Sequence, residues 1–278
     1  VVRLAQRVGQ TPFYAYDRKL ITERINLLRQ YLPEEIQLHY AMKANPMPAV
    51  VQHLVGLVDG IDVASAGEMK IALDTGMPAD RISFAGPGKN ERELACAFAA
   101  GIVISMESEQ ELERIMLLAE QMGICPKVTV RVNPNFELKS SGMKMAGGAK
   151  QFGVDEERVP AMLTRIGQLG LDLEGFHIFC GSQNLKAEAI QEAHEKTLQL
   201  GLHLAQNSPV PIRTLNIGGG FGVPYFPGET PLNLAAVGGN LRRLLLKARA
   251  ELAGTRLVIE LGRYIVAEAG IYVCRVLD

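Results

Sequence analysis

Between residues 36 and 261 the chain alternates short apolar runs, rich in β-branched residues, with longer stretches in which apolar positions recur every three or four residues. The first pattern suits a strand buried on both faces. The second suits a helix with one face on a core, so their alternation predicts parallel strands joined by helical crossovers. Eight runs read as strands: IQLHYAMK at 36–43, GIDVAS at 60–65, ISFAG at 82–86, IVISM at 102–106, KVTVRVN at 127–133, LEGFHIF at 173–179, RTLNIG at 213–218 and RLVIEL at 256–261. Helices are expected between them, among them 187–206 and 108–122, the latter opening with Ser-Glu-x-Glu as a helix N-terminus does. In number and length the units match a TIM barrel, (β/α)8. A doubly wound open sheet has the same period, and periodicity alone does not separate the two.

Two pieces flank the predicted barrel of 36–263. Residues 1–35 contain an extended segment, TPFYAYD at 11–17, followed by a helix over 18–31. Residues 264–278, YIVAEAGIYVCRVLD, read as strand material of a second domain, expected either to leave an open edge or to pair with TPFYAYD.

Composition narrows the classes of function. The 278 residues are 47% hydrophobic with a net charge of -1, enough for one large core and without the basic runs that mark nucleic-acid or membrane-surface partners. The four cysteines lie far apart with no CxxC pair, which points away from disulfides and metal and towards a reducing cytoplasm. No apolar run approaches the roughly 18 residues that suggest a membrane span, and the start lacks the apolar core of a signal peptide. The chain opens on Val1 rather than methionine, as expected of a piece of a longer protein. Chemistry on a small molecule is the class that remains.

In a TIM barrel the active site lies at the C-terminal ends of the strands, so polar residues there carry functional weight. They are Lys43 at strand one, Asp62 and Ser65 at two, Arg131 and Asn133 at five, 179–182 at six, 218–222 at seven and 260–263 at eight. Lys43 closes the run LHYAMK, and alternation places His39, Ala41 and Lys43 on one inward face. A lysine in a semi-dry mouth sheds its proton readily and captures a carbonyl as a Schiff base, although position alone equally suits a solvated strand-end cation. In IGGGFG, 217–222, consecutive glycines free the backbone for positive φ and for close approach of a ligand, exposing N–H groups that can cradle a phosphate. Barrel phosphate sites are frequently built after strands seven and eight, and this run follows strand seven; a tight turn without a ligand is the rival reading. Ser182 and Arg263 add a hydroxyl and a guanidinium at neighbouring strand ends. Glu260, in an apolar strand, needs a cation or a strong donor, either Arg263 or a protonated ring nitrogen. An aldehyde-trapping amine, a phosphate cradle and a carboxylate for a pyridinium nitrogen together describe pyridoxal 5'-phosphate.

The ordered segments TPFYAYD, YAMKANP, DVASAGE, RVNP, FGV, CGSQ, GGGFG and ELGRYIVAEAG resemble the fold-type III pyridoxal-phosphate decarboxylases, the group of diaminopimelate, ornithine and arginine decarboxylases. The pattern is most similar to the diaminopimelate enzymes. The resemblance implies that Lys43 is the Schiff-base lysine and that Ser182, Gly218, Gly219 and Gly220 bind the phosphate. It further implies that Arg131 lies near the ring and that Glu260 meets the pyridine nitrogen. Gly262 and Arg263 complete the same motif, the arginine serving the phosphate or a substrate carboxylate, and Asp62 and Glu68 match an acidic pair near the cofactor.

Three departures stand against that pattern. Where the family usually has His-x-His-x-Gly-Ser, this chain has His177-Ile178-Phe179-Cys180-Gly181-Ser182, so a phenyl ring takes the stacking place. His177, two residues earlier on the same face, reads either as a cofactor neighbour or as a core histidine. Leu261 replaces the usual proline of Glu-Pro-Gly-Arg, and Gln151 precedes Phe-Gly where lysine is common. The stretch 138–154 is expected to form a mobile loop over the mouth.

The resemblance implies decarboxylation of an amino acid, diaminopimelate-like or another basic or diamino acid, by a homodimer without nucleic-acid or membrane partners. It also implies a C-terminal β domain that begins near residue 264 and whose remainder is missing, so that the chain as given turns over poorly. A single-barrel pyridoxal-phosphate carrier or regulator, or a racemase-like protein, shares the barrel. A carboxylate at 260 speaks against the racemase, and an aldolase using Lys43 without cofactor is disfavoured by the order of the motifs.

Overall fold

The computed structural model describes residues 1–136, 143–144 and 150–278. Apart from Met143–Lys144 and 150–154, the expected loop at 138–154 lies outside the described residues. Eight parallel strands form the centre: β1 (Ile36–Ala41), β2 (Gly60–Val63), β3 (Ile82–Phe84), β4 (Val103–Met106), β5 (Lys127–Asn133), β6 (Asp172–Ile178), β7 (Thr214–Gly219) and β8 (Arg256–Leu261). Each pairs with the next, and β8 pairs back onto β1 with Val258 against Gln37 and Glu260 against His39. The sheet is therefore a closed TIM barrel, and the open-sheet alternative falls.

The strands carry a finer pattern than a plain apolar run. Ile36, Leu38 and Tyr40 are at most 1% exposed, whereas Gln37 and His39 line a small space on the barrel axis with Asp62, Ser83, Ser105, Thr129, His177 and Asn216. Alternation thus gives an apolar outer face packed under the helices and a polar inner face, where branched aliphatics are the commoner filling. Each apolar side chain buried this way is worth about 1.5–3 kcal/mol.

Four of the eight strands end a residue or two before the expected position, three end where expected and β7 runs one residue further. The early end with consequences is that of strand one. It stops at Ala41, and Met42–Ala44 form a 3-10 turn closed by Asn45 N–H donating to Met42 O at 3.0 Å. Lys43 is consequently on a turn and not on the strand face shared by His39. The cause is local: Asn45-Pro46 cannot continue a ladder, because proline lacks the N–H and restricts the residue before it.

Helix Arg18–Tyr31 forms as expected, with the Asp17 side chain accepting from Lys19 N–H at 2.8 Å, and a short helix at Val2–Val8 precedes it unannounced by the sequence pattern. Phe13–Tyr16 pairs antiparallel with Gly270–Val273, so the pairing alternative holds for that part of the C-terminal run. Its beginning differs from expectation. Arg263–Val266 is a single helical turn after Gly262, with Tyr264, Ile265 and Val266 buried; it packs against helix Arg18–Tyr31, and the Tyr264 ring sits edge-on to Phe221 at 5.6 Å. That burial outweighs the β propensity of Tyr-Ile-Val.

Candidate active site

At the C-terminal mouth of the barrel two adjoining hollows of about 600 and 400 Å³ share Ala41, Lys43 and Glu260. The 3-10 turn delivers Lys43, which is exposed, to both hollows. Glu260 is the next-to-last residue of β8 and its side chain is 10% exposed. An amine and a carboxylate placed far apart in sequence therefore border one space.

The larger hollow is also lined by Phe179, Ser182, Gly220, Gly262 and Arg263. Here the ends of β6 and β7 interlock: Asn184 N–H donates to Gly220 O at 2.9 Å, and Gly222 N–H to Asn184 O at 2.8 Å. Gly218 and Gly220 have φ of 71° and 74°, and a Cβ on Gly220 would lie 2.2 Å from Gly181 O. Gly219 takes an ordinary φ, but its Cβ would meet Glu260 O. Close chain packing therefore requires these glycines with or without a ligand, which gives the tight-turn reading a concrete basis beside the phosphate reading. Gly218 also accommodates Phe179, whose ring would be 2.7 Å from an added Cβ. Arg263 is exposed, with its guanidinium 5.8 Å from the centre of the Tyr225 ring and Nη1 3.5 Å from Gln183 Oε1.

The smaller hollow adds Asp62, Arg131 and Phe152. Asp62 is buried, and its Oδ1 accepts from Ser83 Oγ and lies 3.4 Å from His39 Nδ1. Arg131, 7% exposed, has its guanidinium 4.8 Å from the centre of the Phe152 ring and pairs with Glu107 at 2.9 Å. Glu68 lines neither hollow. Its carboxylate accepts from Ala64 N–H at 2.8 Å while its own N–H donates to Ser65 Oγ at 3.2 Å, a helix-capping task that accounts for the residue without the site.

His177 lies deeper, below the mouth. Its Nε2 is 3.2 Å from Glu260 Oε2 and its Nδ1 3.2 Å from Ser105 Oγ. Burial acts to raise the Glu260 carboxyl, but contact with His177 and the charges of His177, Lys43 and Arg131 outweigh it and hold the group well below the usual carboxylate range.

A set of residues that the sequence reading passed over supports this wall. Glu107, 4% exposed, accepts from Gly86 N–H as well as from Arg131, and Lys89 pairs with Glu111 at 3.0 Å with both side chains buried. The strand-end rule would have found Glu107, the residue immediately after β4, had it been applied to that strand.

The family described as "Pyridoxal-dependent decarboxylase, pyridoxal binding domain" matches residues 18–267. The chain is 35% identical to the L-glutamyl-[BtrI acyl-carrier protein] decarboxylase of Niallia circulans over 96% of its length, and 35% identical to the diaminopimelate decarboxylase of Aquifex aeolicus over 98%. It spans 63% and 64% of those two relatives. Among solved structures, diaminopimelate decarboxylase from Helicobacter pylori in complex with L-lysine superposes with a TM-score of 0.87 at 29% identity, covering all of this chain and 70% of that one.

Proposed function

Since the chain belongs to the pyridoxal-dependent decarboxylases as their pyridoxal-binding domain, we propose that it holds pyridoxal 5'-phosphate at the barrel mouth through Lys43 and serves decarboxylation of an amino acid. The observation that carries the proposal is the pair Lys43 and Glu260 on one hollow of about 600 Å³. The donor set fits the cofactor: a primary amine for the aldehyde, an ionised carboxylate for the ring nitrogen, a phenyl ring for its face, and hydroxyl, guanidinium and glycine backbone for the phosphate. When bound, the cofactor draws the electron pair left by the departing carboxylate into its ring.

The protein's part is to bind, orient and manage protons. Lys43 would anchor the aldehyde end. Ser182, Gly218, Gly219, Gly220 and Arg263 would hold the opposite, anionic end, fixing the ring between them. Phe179 would press on one face by stacking, without the hydrogen bonding of the histidine that is usual there. Glu260 would keep a proton on the ring nitrogen, because a carboxylate held well below its ordinary range stays ionised and leaves that proton on the nitrogen. Arg131, secured by Glu107, and Asp62 would close the other side.

A basic or diamino acid is the substrate class we favour, from the likeness to two diaminopimelate decarboxylases. The assembly we favour is a homodimer. Phe179 supports a second reading, a carrier or regulator that binds the cofactor without turnover. A panel of α-amino acids with different side-chain ends, assayed for carbon dioxide release by the loaded protein, separates the two. Slow release from diaminopimelate or another diamino acid is expected of this chain, and faster release of a version extended by a C-terminal β domain; an extended, fully loaded protein that releases none from any member contradicts decarboxylation.

A further inference from the structure

The inner face of the barrel poses a question that the mouth does not answer: how is Glu260, with a side chain only 10% exposed, kept ionised and pointed upward? We infer that His177 is a positioning residue for Glu260, its protonated Nε2 set 3.2 Å from the carboxylate as an ion-pair partner and its ring held from behind by Ser105. The inference rests on the role proposed above for Glu260.

Geometry supplies the chain of contacts. His177 Nε2 lies 3.2 Å from Glu260 Oε2, and Ser105 Oγ lies 3.2 Å from His177 Nδ1. Asn216 Nδ2 approaches the same carboxylate oxygen at 3.3 Å. The three come from β6, β4 and β7, so the carboxylate of β8 is held from across the barrel as well as from its neighbour. His177 and Ser105 are 6% and 2% exposed, and an apolar side chain in place of the imidazole would leave Asn216 as the remaining polar partner of that carboxylate oxygen in the barrel interior.

The other groups near Glu260 do not duplicate this role. Lys43 is exposed on its turn, and Arg131 is engaged with Glu107. His39, opposite Glu260 on β1, lies 3.4 Å from Asp62. Below them, His177, Ser105, Asp62, His39 and Asn216 line a space of about 40 Å³, and Asp62 Oδ2 has no partner there among the described residues.

In the neutral ring a proton on Nε2 lies beside the Glu260 carboxylate, and Ser105 Oγ–H then donates to Nδ1. When His177 takes a second proton, Ser105 accepts instead, and the contact with Glu260 becomes charge-assisted. In either state Asn216 Nδ2 donates to the carboxylate and the imidazole adds its proton beside it. The arrangement also suits a chain with a phenyl ring at 179, since the inward imidazole is engaged with the carboxylate and the stacking place needs no hydrogen bond.

Carbon-13 NMR of carboxyl-labelled glutamate in the cofactor-free protein tests the inference without reference to turnover. Titration of Glu260, assigned with Glu260→Gln, should shift upward by about one pH unit or more in His177→Phe, because a buried carboxylate loses an opposite or donor partner. His177→Gln, which keeps an N–H donor but no charge, should fall between. A folded His177→Phe protein with Glu260 titrating as in the wild type overturns the inference, since a packing role alone would leave the carboxylate unmoved. Should the variants not fold, nitrogen-15 spectra of wild-type histidines decide: His177 must carry a proton on Nε2, and a neutral ring protonated only on Nδ1 contradicts the assignment. Failure here leaves the anchoring role of Lys43 untouched.

Discussion

Glu260 is the residue on which charge, burial and proposed chemistry meet. Burial opposes its ionisation and the cations around it win, so Glu260→Gln should retain cofactor anchoring by Lys43 yet lower decarboxylation by the loaded protein about 100-fold, as an amide cannot hold the ring proton. Unchanged turnover at equal loading would dismiss the ring-nitrogen role. His194 makes a different prediction. It is 1% exposed, neither ring nitrogen has a hydrogen-bond partner among the described residues, and burial pushes its pKa down from 6.5 to about 4. The folded state thus binds fewer protons than the unfolded chain between those values. The neutral ring's stability is intact above 6.5 and is lost as pH falls towards 4, by about 3 kcal/mol in all at about 1.4 kcal/mol per unit. Urea denaturation at pH 7 and pH 4.5 should show His194→Leu losing less stability on acidification than the wild type; equal losses would contradict the assignment.

Among the elements, the β7 turn shows how one sequence feature can serve two purposes. Gly220→Ala meets both a left-handed φ of 74° and a carbonyl at 2.2 Å, whereas Gly254→Ala has φ of 81° with nothing within 4 Å. The second should cost about 1–2 kcal/mol from backbone strain alone, and the first distinctly more. Equal falls in melting temperature would show that the approach of the β6 and β7 loops is not what fixes the glycine. The eight strands were legible as short apolar runs rich in β-branched residues, separated by stretches of helical period, whereas the polar axis-facing side of strands such as IQLHY emerged only in the folded barrel. Two details were not. The turn at Met42–Ala44 depends on Asn45-Pro46 halting a ladder that apolarity would have continued, and the helix at Arg263–Val266 depends on packing against helix Arg18–Tyr31, which only the folded chain brings near. Glu107 was within reach of the strand-end rule, as the residue directly after β4, but its partners Arg131 and Gly86 N–H are set by the fold.

At the scale of the whole molecule, closure of the barrel converts dispersed strand ends into one site. Lys43 and Glu260 stand more than two hundred residues apart, yet β1 and β8 are hydrogen-bonded neighbours, so the two groups reach the same hollow. That neighbourhood was legible as soon as eight strand–helix units were counted, because the first and last strands of a TIM barrel must adjoin. The interior contacts of His177 were not, since nothing in the local sequence says which inward groups meet across the axis. The central claim is that Lys43 anchors pyridoxal 5'-phosphate. Incubation with the cofactor, reduction with borohydride and peptide mass spectrometry test it directly. The account predicts a stable pyridoxyl-phosphate adduct on Lys43 and loss of that specific labelling in Lys43→Ala with the fold retained. An adduct on another lysine, with Lys43 unmodified at full loading, would contradict it.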